Sequence, residues 1–447
     1  MKNTDFKIPE YVRFALERMR ANGHEIFLVG GCVRDMIMKK IPNDYDLTTD
    51  ALPQMTAECF PELHVINTGQ KHGTVTVVVD HRPIEITTYR KDGEYDDNRH
   101  PRAVTFTPNI KDDLARRDFT VNAMAYSDRE GLIDLFGGQA DIESRTVRCV
   151  GDPDTRFAED GLRIMRALRF CATLGFFAEK ETAAAVHRNR ELLKNISAER
   201  LREEFLKLIC GKNASAVIRE YYDVIGVFIP EILPCVGFDQ NTVYHDLDVL
   251  EHTLCVMDGC DSEDTVLRLA AFFHDIGKPE CYTEDERGGH FVGHAAKSAE
   301  LADRVMSRLK FDNATKKKVR RLVAEHCAPV EPTERSVRRF MSDHSDEDAA
   351  RAIALERADR LACAPKFRDT GYIAEIERIM KELRAREARI SLATLQIRGD
   401  DLIRLGFFGK EIGECLELLL SRVLDGELPN EKAVLIEEAE KIKGKKC

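Results

Sequence analysis

The chain has no tryptophan, and aromatic residues together make up only 7% of its 447 residues. It lacks any apolar run near the ~18–20 residues of a membrane-spanning helix, which argues against a membrane protein. Its first residues, MKNTDFKIPEYVRF, carry no apolar core of signal-peptide length. None of the thirteen cysteines forms a CxxC pair, and Cys171, Cys210 and Cys255 sit in apolar helical contexts. That pattern excludes a disulfide framework and predicts reduced thiols in a cytoplasm. A basic balance is missing too: 67 Lys and Arg face 78 Asp and Glu, for a formal net charge of −11. Nucleic-acid binding depends on local patches rather than on net charge. Basic clusters do occur at Arg163, Arg166 and Arg169, at Lys316 to Lys318 with Arg320 and Arg321, and at Arg335, Arg338 and Arg339. A solvated helix face is the ordinary reading of each. The 32% of charged residues suit a helix-rich protein, and the length has room for two to four domains.

What is present centres on residues 26–50, IFLVGGCVRDMIMKKIPNDYDLTTD. Ile26 to Val29 reads as a buried strand, and a helical segment from about Cys32 to Lys39 follows Gly30 and Gly31. A strand feeding two glycines and a helix lets backbone N–H groups approach a phosphate. Beyond Pro42, Asp44-Tyr45-Asp46-Leu47 reads as a second strand whose alternation puts both aspartates on one face. Two adjacent carboxylates stay ionised at low cost when a cation lies between them, and near a phosphate site that cation is Mg²⁺. Residues 8–22 predict an amphipathic helix on Val12, Leu16 and Met19. Three further strands are expected at His64 to Ile66, Gly73 to Val79 and Ile84 to Tyr89, all in one mixed sheet. Glu85 is the candidate third carboxylate, with a surface strand glutamate as the alternative. Residues 90–106, RKDGEYDDNRHPRAVTF, read as a polar loop. Residues 113–126, DLARRDFTVNAMAY, predict a helix that puts Asp118 and Asn122 on one face, with Arg117 beside them.

Strand-GG-x-V-R-D followed by D-x-D-L resembles the signature of the nucleotidyltransferase superfamily that includes DNA polymerase beta. The variant resembles that of class II tRNA nucleotidyltransferases, the CCA-adding enzymes and bacterial poly(A) polymerases. RRDFTVNA is similar to that family's R-R-D-F-T-x-N-A motif, which implies contacts from Arg117, Asp118 and Asn122 to the nucleotide's ribose and phosphates. Loop 90–106 resembles a loop that members adding only the two cytidines tend to lack. The resemblance further implies that Gly30, Gly31 and Arg34 bind the triphosphate.

FAEDGLRIMRALRFCATLGF predicts one helix from about Arg156 to Leu174, with Leu162, Met165, Leu168 and Ala172 on an apolar stripe. Asp160, Arg163 and Arg166 should face away from it. The segment resembles the family's E-D-x-x-R motif, whose Asp and Arg read the base. Cytosine and adenine each present an amino donor beside an unprotonated ring nitrogen, matching a carboxylate acceptor and a guanidinium donor. Guanine and uracil present the reverse, leaving both protein groups unpaired. Ser197 is the expected N-cap of AERLREEFLKLIC.

From about residue 240 long helices carry histidines, with His245 and His252 two turns apart. The order His252, His274-Asp275, His294, His326, Asp359 resembles the HD-domain metal phosphohydrolases. That resemblance implies His252, His274, Asp275 and Asp359 as ligands of one metal, with His294 and His326 holding a second. Imidazole with carboxylate suits Mn²⁺, Fe²⁺, Co²⁺, Ni²⁺ or Zn²⁺.

The expected fold is α+β: a small mixed-sheet nucleotidyltransferase head (1–140), an all-α neck (141–235), an HD domain (236–365) and a helical tail (366–447). Ile412, Leu416, Leu419 and Leu420 form an apolar face in that tail, where the family would contact tRNA or a second copy in a homodimer. The implied activity is template-independent addition of C, C and A to tRNA from CTP and ATP. Asp44 and Asp46, with Glu85, would hold two Mg²⁺. The alternatives are a poly(A)- or A-adding polymerase, and an HD phosphohydrolase whose N-terminal domain only binds RNA.

Overall fold

A computed structural model describes residues 6–93, 104–386 and 391–445. The chain forms two compact units, Met1–Leu233 with Arg308–Lys310, and Pro234–Ser307 with Phe311–Cys447. In the first, helix α1 (Glu10–Ala21) buries Val12, Ala15, Leu16 and Met19 along one side. The mixed sheet has seven strands: β1 (Ile26–Val29), β2 (Asp46–Thr49), β3 (His64–Ile66), β4 (Thr74–Val79), β5 (Arg82–Thr88), β6 (Met124–Ser127) and β7 (Gly131–Asp134). Their order is β3-β4-β5-β2-β1-β6-β7, with β2 and β5 parallel and the other pairs antiparallel. All four β1 residues are buried because both faces are covered. Ile26 and Leu28 join the core around α1, whereas Phe27 and Val29 pack with Tyr89, Leu114 and Ala125. Residues 90–106 are not all loop: Arg90–Asp92 pairs antiparallel with Val104–Phe106. Residues 94–103, the rest of that segment, lie outside the described residues.

Residues 113–126 are not one helix. Helix α3 spans Ile110–Ala115, a 3₁₀ turn spans Thr120–Asn122, and β6 begins at Met124. The Asp118 carboxylate accepts the Phe119 N–H at 2.8 Å, a local bond that competes with a helical ladder. MAYS then pairs on both sides, with β1 and β7, and buries all four residues. Helix propensity is the weaker influence there.

The expected helix 156–174 is likewise two: α4 (Pro153–Glu159) and α5 (Leu162–Leu174). Asp160 between them is extended, at φ −141° and ψ 103°, and its side chain accepts the Leu162 N–H at 3.0 Å. Leu162, Met165, Leu168 and Ala172 are buried as expected, and so is Arg163. Helix α6 (Ala198–Ile209) follows, but Ser197 makes no side-chain capping bond.

In the second unit, α7 (Val249–Gly259), α8 (Thr265–Phe273), α9 (His294–Arg308), α10 (Asn313–Glu325) and α11 (Asp346–Ala362) carry or flank the histidines. His245 precedes α7, so it shares no helical face with His252. A hairpin of Thr283–Asp285 with Gly288–His290 leads into α9, a strand pair the helical reading lacked. Leu419 is buried in a separate small core with Phe407 and Leu435, and Ile412, Leu416 and Leu420 pack against it. Among the described residues the cysteines are free thiols, and no helix is long and apolar enough to cross a membrane.

Candidate active sites

The register of the sheet brings the head carboxylates together. Asp46 opens β2 directly opposite Glu85 on the parallel neighbour β5, and registered residues of parallel strands point to the same face. Asp44 lies two residues before Asp46, ahead of the strand rather than in it. All three side chains reach solvent. Crowding by the surrounding walls, then the charges of Asp44 and Glu85, push the Asp46 carboxyl up to about 6, against the opposing pull of Arg117. Three exposed carboxylates, one of them reluctant to ionise, are a donor set suited to a hard divalent cation.

Gly30 turns the chain from β1 into helix α2 (Gly31–Ile37) at φ +78°. A side chain there would be strained and would also meet the Arg117 guanidinium at 3.1 Å. Gly31 is not so constrained. Arg117 is anchored by Asp113, which is fully buried and also binds Arg116 and Thr48. The Nε of Arg117 is buried without a hydrogen-bond partner among the described residues.

Asp118, Asn122 and Arg34 form a chain of bonds. Asn122 donates to Asp118 at 3.3 Å and accepts from Arg34 at 2.8 Å. Asp118 also takes two N–H bonds from Arg166, at 2.8 and 2.5 Å. Arg34 further donates twice to Asp35 and stands over the Phe170 ring. The basic cluster on α5 is therefore no solvated face. Arg163 is bonded to Glu159 and the carbonyls of Arg156 and Arg116, Arg166 to Asp118, and Arg169 to Glu204. The Arg163 N–H donates to the Asp160 carbonyl at 2.9 Å, and the Asp160 side chain accepts from Arg200 at 3.1 Å.

In the second unit two clusters share one carboxylate. The first joins the Nε2 atoms of His252 and His274, 3.4 Å apart, with Asp275 Oδ2 at 3.4 and 3.1 Å from them. Asp359 Oδ1 lies 2.9 Å from His252. The second joins the Nε2 atoms of His294 and His326, 3.3 Å apart, with Cys327 Sγ at 3.5 and 3.1 Å. Asp275 Oδ1 faces this pair at 3.3 and 3.7 Å.

His274, His294 and His326 each bond through Nδ1 to a carbonyl three residues back, of Ala271, Phe291 and Val323. A carbonyl only accepts, so Nδ1–H donates to it and Nε2 is the atom turned into the cluster. Burial alone would raise the Asp275 carboxyl, but His274 and Lys278 hold it well below the usual carboxylate range. Burial would lower His294, yet Asp275 and Cys327 lift it to about 9. Burial would raise the Cys327 thiol, yet the two imidazoles bring it down to about 7. Both donor sets suit a borderline transition metal. A cavity of about 390 Å³ opens over them, lined among others by His245, Lys278 and Phe291.

Known proteins follow the same order. Residues 26–148 match the "Poly A polymerase head domain", 175–232 the "Probable RNA and SrmB- binding site of polymerase A", and 242–364 the "HD domain". A CCA-adding enzyme of Bacillus velezensis is 33% identical over 422 residues, spanning 93% of this chain and 94% of that protein. The chain belongs to the CCA-adding enzyme family. A CCA-adding enzyme of Lactobacillus delbrueckii subsp. bulgaricus is 44% identical over 206 residues, 46% of this chain. The chain matches only 52% of that relative, about half its length. The crystal structure of the Bacillus stearothermophilus CCA-adding enzyme in complex with CTP superposes with a TM-score of 0.73 at 26% identity. That match covers 98% of this chain and 99% of that one.

Sequence reasoning about this CCA-adding family member overlooked four groups. Asp113 holds Arg117, and the i, i+4 spacing in DLARR carried that signal. Glu159 holds Arg163 at the same spacing. Lys278 lies 2.7 Å from Asp275 Oδ2, three residues on. Cys327 was visible only as the residue after a candidate ligand.

Proposed function

We propose that this chain adds C, C and A in turn to the 3′ end of tRNA, using CTP and ATP and releasing pyrophosphate without a nucleic-acid template. The reading is carried by the in-register pair Asp46 and Glu85 with Asp44 beside them, in a member of the CCA-adding family. Asp44, Asp46 and Glu85 would hold two Mg²⁺. When bound there, the ions would lower the pKa of the RNA 3′-hydroxyl and stabilise charge on the α-phosphoryl group. The Gly30-Gly31 turn and Arg34 line the triphosphate. Arg117 adds a guanidinium whose Nε has no hydrogen-bond partner among the described residues. Asp118 and Asn122 serve the sugar side, and Arg166 positions Asp118.

Asp160 and Arg163 inspect the base edge, the carboxylate accepting from the amino group and the guanidinium donating to the ring nitrogen. Arg163 must then exchange one of its present partners, Glu159 or a carbonyl, for the base. The HD centre of His252, His274, Asp275 and Asp359 serves a separate phosphoester hydrolysis supported by a transition metal such as Mn²⁺, Co²⁺, Ni²⁺ or Fe²⁺, and His294 and His326 hold a second metal. A cytoplasmic homodimer, with the tail meeting tRNA or the second copy, completes the reading.

Incorporation of CTP and ATP into tRNAs ending at the discriminator base, C or CC tests this. Sequential C, C and a single A are expected. Repeated A addition without C selects the poly(A)-adding alternative, and no incorporation at all leaves the HD phosphohydrolase as the activity.

A further inference from the structure

We propose that Cys327 completes a four-coordinate zinc site with His294, His326 and Asp275 Oδ1, distinct from the His252–His274–Asp359 centre. This rests on reading the histidine clusters as metal centres and adds a thiolate to the ligand set. A tetrahedral Zn²⁺ with Zn–N of about 2.0–2.1 Å and Zn–S of about 2.3 Å sets ligand edges of about 3.3 Å for N···N and about 3.5 Å for N···S. Here the N···N edge of 3.3 Å and the N···S edge of 3.5 Å to His294 match the tetrahedron, and the 3.1 Å edge to His326 is shorter, so Cys327 Sγ would move out slightly when the ion binds. An octahedral ion with bonds of about 2.1 Å would bring neighbouring nitrogens to about 3.0 Å.

The fourth corner is Asp275 Oδ1, 3.3 and 3.7 Å from the two Nε2 atoms. Asp275 is 1% exposed, and among the described residues no hydrogen bond reaches this oxygen although both imidazoles lie near it. A buried carboxylate oxygen left in that state is costly unless a cation takes it. The Nδ1–H of each histidine is fixed on a backbone carbonyl, which leaves Nε2 as the ligating atom. The cluster at His294, His326 and Cys327 brings a thiol together with two imidazoles. Thiolate with imidazole selects zinc over magnesium, calcium or manganese.

Four protein ligands leave no coordination position for water, the arrangement of a structural site. The ion would tie the start of α9 and the end of α10 to the HD dyad that ends α8. Hydrolytic chemistry then belongs to the other centre, where Asp359 is 30% exposed at its side chain.

The test strips the full chain with EDTA and reloads it with Co²⁺. The wild type should show both d–d bands and a near-ultraviolet thiolate-to-Co²⁺ charge-transfer band. Cys327→Ser should keep d–d bands and lose the charge-transfer band. In parallel, Zn²⁺ should protect the Cys327 peptide of the wild type from iodoacetamide at least about tenfold, reversibly with EDTA. That measurement needs no variant to fold. Cobalt binding without a charge-transfer band, or alkylation of Cys327 unaffected by zinc, overturns the proposal and leaves the metal-centre reading standing. No cobalt binding at all overturns both.

Discussion

Replacing Asp118 by Asn should loosen the joint between β6 and α5 by an amount the structure sets. Asp118 is 8% exposed, and its four acceptor contacts run to Arg166 twice, to Asn122 and to the Phe119 N–H. Burial would raise its carboxyl, but the Arg166 guanidinium overrides that and holds it at about 2. Against a free aspartate near ~3.9, the difference corresponds to about 2–3 kcal/mol at neutral pH. Breaking a buried ion pair costs about 3–5 kcal/mol. Arg166 is 34% exposed at its side chain, so the lower end applies, and the loss comes to about 2–3 kcal/mol. Hydrogen exchange by mass spectrometry on the full chain reads this directly. Amides in 118–127 and 162–170 should exchange about 50- to 100-fold faster in D118N at pH 7.

The folded pKa lies below the unfolded one. The stabilisation is therefore complete well above about pH 4 and is lost as pH falls through about 2. The gap between wild type and D118N should accordingly shrink to about half by pH 3. Equal exchange at pH 7, or a gap unchanged from pH 6 to pH 3, refutes the reasoning.

Asp46→Ala should lower nucleotide addition by about 10²–10³-fold or more, the scale of removing a group that stabilises transition-state charge. Hydrolysis of bis-p-nitrophenyl phosphate with Mn²⁺, Co²⁺ or Ni²⁺ should persist in that variant; loss of both activities would point to a folding defect instead. His274→Ala with Asp275→Ala should do the opposite, sparing addition and abolishing metal-dependent hydrolysis; intact hydrolysis would clear the HD dyad of any role. Asp160→Ala should erode the preference for CTP over UTP by at least about tenfold while RNA affinity changes little. A fall in RNA affinity with selection intact would reassign Asp160 to the RNA.

Strand placement was legible in the sequence where period and burial agree. The all-apolar β1 and the alternating β4 needed both faces or one face covered, and the pattern said so. Glu85 was legible as a strand residue, but its register against Asp46 is a long-range fact that only pairing settles. Helix boundaries failed where side chains bond the local backbone between elements: Asp118 accepts the Phe119 N–H in the turn beyond Ala115, and Asp160 accepts the Leu162 N–H at the start of the next helix. The basic run on α5 looked solvent-facing because its partners, Asp118 and Glu204, come from distant segments. Cys327 escaped because a thiol beside a histidine carries no ligand signature until a second helix delivers His294.

The most direct test is a crystal structure of the full chain with CTP and Mn²⁺ in place of Mg²⁺, phased on the manganese anomalous signal. Manganese should lie among Asp44, Asp46 and Glu85, with the triphosphate beside Gly30 and Arg117 and the cytosine edge at Asp160 and Arg163. Manganese and triphosphate bound away from those three carboxylates would contradict the account.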